Sequence, residues 1–285
     1  MALGRRGLLA AMGLLAASAC APARPHASPR PRPPAPGGTV IRTETVRSVH
    51  RGADIPMLIA HPAGLDSTEG LPMVLYLHGR DAMNPVPIPY ETLDALHREH
   101  AAGNLPPFGL VAVDGGYNAY WNDGSSNGDL MSMLLDEVPA WLRARGLGDE
   151  EGLPFACAGL STGGFGVLNY AIERVARGRP PAAVAALAPA LPLTWDVMST
   201  KNAFDTAEEW RAADPLGRLA GLGDVPVGVW IGDADTFRPG VEQLVQQYPN
   251  TPVHRVLPGG HDGSVFDVVG ADMLGFLAEG APVES

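Results

Sequence analysis

The stretch LPFACAGLSTGGFGVLNYAIERVARG, residues 153–178, decides the fold. Residues 154–160 form an apolar run with the character of a buried strand. A sharp turn follows at Ser161. From about Gly163 to Arg177 the apolar residues recur at helical spacing. Gly159, Ser161 and Gly163 fit the pattern G-x-S-x-G, which carries meaning only between a strand and a helix, and that is where it stands here. A chain that reverses within so few residues strains the serine backbone, and only small neighbours leave it room. Such a turn projects the Ser161 hydroxyl into the open. It also sets the Thr162 amide at a helix N-terminus, where the dipole favours an anion.

Working outward, apolar runs alternate with helical segments. Strand-like runs lie at 51–62, 71–79, 108–116, 181–191, 225–235 and 251–257. Helical periods fill 91–101, 129–146, 239–249 and 264–280, and Pro139 is expected to bend the second of these or to restart it. This alternation predicts an α/β fold: a mostly parallel central sheet flanked by helices on both faces, with no large cap domain. Residues 189–224 are irregular and are placed to overhang a pocket.

A serine needs a base, and the base needs an orienting carboxylate. His261 lies in Pro258-Gly-Gly-His-Asp262, a glycine-rich loop before the last helix. His254 lies inside a strand-like run and reads as structural. For the acid, Asp233 and Asp235 both leave the carboxyl end of the run VPVGVWI. Asp235 is preferred because it reaches toward the histidine loop, with Asp233 the alternative. Asp205 and Asp214 are weaker candidates, and Asp262 is too close to His261 in the chain to orient its ring. The second anion-binding amide is assigned to Arg80, after Leu77-His78-Gly79. His78 reads as a packed structural histidine, and the Arg80 side chain is expected to pair with one of the many carboxylates.

The remaining segments bound location and partners. The first 20 residues begin with Arg5-Arg6 and continue into an apolar run of about thirteen residues, too short to span a bilayer. They read as an export signal, and the arginine pair fits the twin-arginine type. Cys20 closes LLAASAC, which resembles a bacterial lipoprotein cleavage box. Residues 21–43 are rich in proline and alanine and read as an extended tether. The catalytic domain is then 44–281, and the protein is expected to be secreted or anchored at a bacterial membrane through lipidated Cys20. Residues 1–43 hold six of the 20 basic residues and none of the 31 acidic ones, so residues 44–285 carry 14 basic against 31 acidic residues, a balance of −17 with histidine neutral. That excludes nucleic acid as a natural partner. Cys157 is the only other cysteine and reads as a buried thiol. His97 and His100 stand one helical turn apart, but no cysteine or carboxylate pattern accompanies them, so no metal site is expected. No cofactor is required.

Taken together, LYLHG, GLSTGGFG, IGDAD and GGH resemble the esterase-D branch of the α/β-hydrolases, over roughly residues 45–280. That branch includes S-formylglutathione hydrolases, feruloyl and xylan esterases, and mycobacterial mycolyltransferases. By position, the resemblance implies Ser161 as nucleophile, Asp235 as acid, His261 as base, and the amides of Thr162 and Arg80 as the oxyanion hole. It also implies a substrate cleft lined by the loop carrying Tyr117, Tyr120 and Trp121, though the two last could equally cap the core. The implied activity is hydrolysis of a small-molecule, glycan or lipid ester through an acyl-enzyme. Acyl transfer to a sugar or other alcohol, and a non-catalytic surface-binding protein on the same fold, are the alternatives. Mycolyltransferases usually carry a glutamate as the acid, so the aspartates here favour the esterase.

Overall fold

The computed structural model describes residues 38–80 and 87–282. The leader, Cys20 and the tether as far as residue 37 lie outside the described residues. One sheet of eight strands organises the rest: β1 (Val40–Ser48), β2 (Ala53–His61), β3 (Met73–Leu77), β4 (Gly109–Val113), β5 (Ala156–Leu160), β6 (Val184–Leu187), β7 (Val227–Gly232) and β8 (Val253–Leu257). Their spatial order is β1-β2-β4-β3-β5-β6-β7-β8. β1 pairs antiparallel with β2, and β2 antiparallel with β4. Every later pairing is parallel.

Burial follows position in this order. β3, β4, β6 and β7 are wholly buried, as their unbroken apolar sequences require when both faces are covered. The outermost strand β1 is mostly polar and stays largely exposed, while β8 carries His254 and Arg255 along the opposite edge. β1 begins at Val40, so residues 40–43, expected in the tether, are strand. The polar stretch Arg42–Thr45 hid this strand from a reading that looked for apolar runs.

The two-residue pleat sorts the core into two layers. Met57, Met73, Leu75, Val111, Cys157 and Val229 face one layer. Leu58, Val74, Tyr76, Ala112, Ala158 and Trp230 face the other. The helices are α1 (Tyr90–Ala101), α2 (Leu130–Ser132), α3 (Val138–Arg143), α4 (Thr162–Ala176), α5 (Trp195–Ser199), α6 (Ala207–Ala213), α7 (Arg238–Gln247), α8 (Gly263–Phe266) and α9 (Gly270–Ala278). Apolar residues of α2, α3, α4 and α7 fill the first layer. Those of α1 and α9 fill the second, so helices cover both faces. Between α2 and α3 the chain widens into a π-helical turn, Met133–Glu137, and Pro139 then opens α3. This is the restart expected at Pro139, which has no N–H to continue the earlier ladder.

Glu137, at the end of that turn, has a structural task. Its carboxylate accepts the Ser48 hydroxyl at 2.6 Å and the amides of Val49 and His50 at 2.6 and 3.3 Å. It thereby ties the β1–β2 turn to the helical layer. Among the described residues, no helix is long and apolar enough to cross a membrane.

Candidate active site

β5 lies in the interior of the sheet and delivers Ser161 to the crevice outside the carboxyl ends of the parallel strands, where open α/β sheets bind ligands. The turn is tight on every side. A Cβ on Gly159 would collide with the Gly163 carbonyl, and one on Gly163 with the Leu77 carbonyl. Glycine at both positions is what lets β5, α4 and β3 converge. Ser161 itself sits at φ 57°, ψ −114°, a strained conformation for a residue with a side chain. Hydrogen bonds hold it there: its amide donates to Leu187 O at 2.8 Å, and its carbonyl accepts Phe165 N at 3.2 Å and Ala190 N at 2.9 Å.

Ser161 Oγ lies 2.7 Å from His261 Nε2, across a sequence separation of 100 residues. His261 Nδ1 lies 2.7 Å from Asp235 Oδ2. The Asp235 side chain is 0 % exposed, and its Oδ1 accepts Phe237 N at 2.8 Å. With the carboxylate on Nδ1, that nitrogen carries the proton, which leaves Nε2 as the acceptor facing the serine. Phe237 and Phe266 pack edge-on against the imidazole at 5.0 and 5.3 Å between centroids, fixing the ring plane.

The competing aspartates have other partners. Asp233 Oδ1 accepts Gly259 N at 3.0 Å, so Asp233 shapes the loop that carries His261 and does not orient its ring. Asp262 caps α8, accepting Ser264 N at 2.9 Å and the Ser264 hydroxyl at 2.6 Å. Those bonds, the hydroxyl first, hold its carboxyl below the usual range. Asp214 caps a 3-10 turn through Leu216 N at 3.1 Å, and Asp205 is exposed.

On the other side of Ser161 stands the turn after β3. A Cβ on Gly79 would lie 3.3 Å from the Ser161 Cβ, so this backbone borders Ser161 directly. His78 is buried beneath it. Its Nε2 accepts Gly115 N at 2.8 Å, and its Nδ1 therefore donates to Gly79 O at 2.7 Å. Burial holds its pKa below the ordinary histidine value, so the ring is neutral despite Asp114 Oδ1 at 3.7 Å. The Arg80 amide follows Gly79. The Thr162 amide opens α4, where no preceding turn supplies a carbonyl. The Arg80 side chain differs from expectation: its guanidinium lies over the Tyr117 ring, 5.5 Å from the centroid, with no carboxylate within 4.0 Å among the described residues.

For the aromatic loop, the structure takes the core reading of Tyr120 and Trp121. Tyr117 is 54 % exposed beside the site, but Tyr120 is 3 % exposed and Trp121 is 0 % exposed. Tyr120 packs edge-on to Phe165 at 5.1 Å, and burial pushes its hydroxyl pKa up to about 12. Trp121 packs against the His78 ring at 4.8 Å and donates to His78 O at 3.2 Å. Both rings belong to the core. The irregular segment after β6 does overhang a pocket. A cavity of about 720 Å³ lies between the Asn122–Ser126 loop, the Asn169–Arg177 face of α4 and residues Asn202–Arg218. Ser161, Asp235 and His261 do not line it. Among the described residues no cluster of three or more metal-binding side chains occurs.

A family model described as "Putative esterase" matches residues 48–250. No curated protein matches the chain. Solved structures with the same fold include a ferulic acid esterase (20 % identity, TM-score 0.65, covering 85 % of this chain and 98 % of that one). An S-formylglutathione hydrolase from Agrobacterium tumefaciens is similar at 18 % identity and TM-score 0.65, with 86 % and 96 % covered. So is a feruloyl esterase module from Clostridium thermocellum at 15 % identity and TM-score 0.62, with 90 % and 96 % covered.

Proposed function

This chain belongs to the putative esterase family, and we propose that it is a serine esterase that cleaves a carboxylic ester through an acyl-enzyme on Ser161. The observation that carries this reading is the unbroken line from Ser161 Oγ through His261 to buried Asp235, with 2.7 Å at each link. His261 Nε2 takes the serine proton as Oγ attacks the ester carbonyl. Asp235 holds the imidazole in the tautomer that leaves Nε2 free and stabilises the imidazolium that forms. The amides of Thr162 and Arg80 receive the tetrahedral oxyanion. His261 then returns the proton to the departing alcohol. Water, activated by the same nitrogen, releases the acid and regenerates the serine.

The test is a panel of 4-nitrophenyl esters of varied chain length, methyl ferulate, acetylated xylan and a thioester, with Ser161→Ala as the blank. At least one ester is expected to be turned over by the wild type, with the rate falling by about 10⁴-fold or more in Ser161→Ala. Equal rates in the two proteins would refute the assignment of the nucleophile.

Export is the second part of the reading and rests on residues 1–43. The basic start, short apolar run and Cys20 support a lipoprotein signal, with the proline-rich segment holding the domain away from the membrane. Mass spectrometry of the chain purified from membranes of a bacterial host tests it. A mature chain beginning at a diacylglyceryl-modified Cys20 is expected, and Cys20→Ala should shift the protein to the soluble fraction. An unprocessed chain beginning at Met1 in the cytoplasm would overturn it.

A further inference from the structure

Two cations stand beside Ser161 in a domain that is otherwise strongly acidic. Residues 44–285 carry 31 acidic residues against 14 basic ones. Yet two cationic side chains flank the triad. Arg80 follows Gly79, the residue whose backbone borders Ser161. Lys201 places its ammonium 5.3 Å from the centre of the Phe237 ring, and that ring packs on His261 at 5.0 Å. Asn118 joins the two: its amide donates to Arg80 O at 3.0 Å, and its side chain donates to Lys201 O at 2.9 Å and Asn202 O at 3.0 Å.

Ten arginines elsewhere are within 4.0 Å of a carboxylate. Among the described residues, Arg51, Arg143, Arg174, Arg80 and Lys201 are not, and of these Arg51 and Arg174 donate to backbone carbonyls instead. Arg80 Nε is buried with no hydrogen-bond partner, an arrangement that costs stability unless a ligand supplies the acceptor. Among the described residues, three acids around the site accept backbone amides: Asp114 from Gly116 N, Asp233 from Gly259 N, and Asp262 from Ser264 N. A planar fork of donors over an exposed tyrosine ring suits a flat anionic group.

We propose that the ester cleaved at Ser161 carries a carboxylate, held between Arg80 and Lys201 over Tyr117. The proposal rests on the serine-esterase reading and adds the substrate class. The surrounding negative domain turns away anions elsewhere on its surface, and the two cations admit one at this point.

The experiment compares matched esters that differ by one charge. The first pair is 4-acetoxybenzoate and methyl 4-acetoxybenzoate, with the charge on the alcohol side. The second is mono-4-nitrophenyl adipate and its methyl diester, with the charge on the acyl side. The readout is the ratio of kcat/KM for the charged over the neutral member, which cancels any loss common to both. The wild-type ratio is expected to exceed about ten for one pair, and to fall about tenfold in Arg80→Gln and again in Lys201→Gln, the scale of a partly shielded charge pair. Added salt should lower the wild-type ratio, and Arg80→Lys should restore part of it. Ratios at or below one for both pairs, or ratios unchanged in both variants, would overturn the proposal while leaving the esterase intact. If the wild type cleaves neither the charged nor the neutral member of either pair faster than Ser161→Ala, the esterase reading falls and this proposal falls with it.

Discussion

Asp235 and Asp233 leave the same strand two residues apart, yet only one touches the His261 imidazole. Sequence could prefer Asp235 by reach but could not separate the two, because the choice depends on how β8 and its loop lie beside β7. The structure has Asp233 accepting Gly259 N, while Asp235 Oδ2 lies 2.7 Å from His261 Nδ1. Asp235→Asn should therefore lower kcat by about 10⁴-fold, because the wrong tautomer faces the serine. Asp233→Asn should cost less than about tenfold, with a lowered melting temperature as its main effect. Steady-state kinetics and thermal melts on the two variants check this, and equal losses would contradict the division of roles. Trp121 shows where local reading fails. Its backbone turns left-handed at φ 60°, and its ring fills the space that side chains on Gly115 and Gly166 would need. A large ring beside two glycines was the available signal, but the glycines lie far apart in sequence. Cys157 was legible from its setting in a central strand. It is fully buried, and its thiol pKa is raised to about 12 by desolvation. It should resist iodoacetamide in the folded protein and react only in denaturant.

At the scale of elements, the strand–turn–helix around Ser161 was readable because its glycines are forced. Gly163→Ala would drive a methyl group into the Leu77 carbonyl and separate α4 from β3. Its effect should exceed an ordinary core change, with the melting temperature lowered by about 10 °C or more or with no folded protein recovered. Circular dichroism melts decide this, and a near-wild-type melt would mean that α4 can shift at no cost. β1 was not legible. VIRTETVRS has no apolar run and becomes a strand because all nine residues pair with β2. Glu137 secures that pairing by holding the turn between the two strands. Glu137→Ala should cost about 2–4 kcal/mol, because three donors lose one carboxylate, two of them backbone amides. Urea unfolding would measure it.

For the molecule as a whole, alternation of strand and helix was enough to give the architecture, since a buried parallel sheet must read as continuous apolar runs. The distribution of charge needed coordinates. Burial raises the Asp214 carboxyl to about 6 from an ordinary value of 3.8. A carboxyl raised in the folded state stabilises the fold below its unfolded pKa, and that contribution is lost as pH climbs through the folded value. Asp214→Asn keeps the cap to Leu216 N and removes the penalty. Its melting temperature relative to wild type should rise by a few degrees between pH 4 and pH 7. A constant difference across that range would show that Asp214 titrates normally.

Lys201 is the sole lysine of the sequence, and it overlooks the catalytic histidine through Phe237. Apart from the terminal amine, any amine-directed reagent has one target on this protein. A succinimidyl biotin on Lys201 should therefore act as a plug at the mouth of the cleft, and immobilisation through this lysine should silence the molecule that it attaches. A tag meant to be neutral would report on access to the reaction centre.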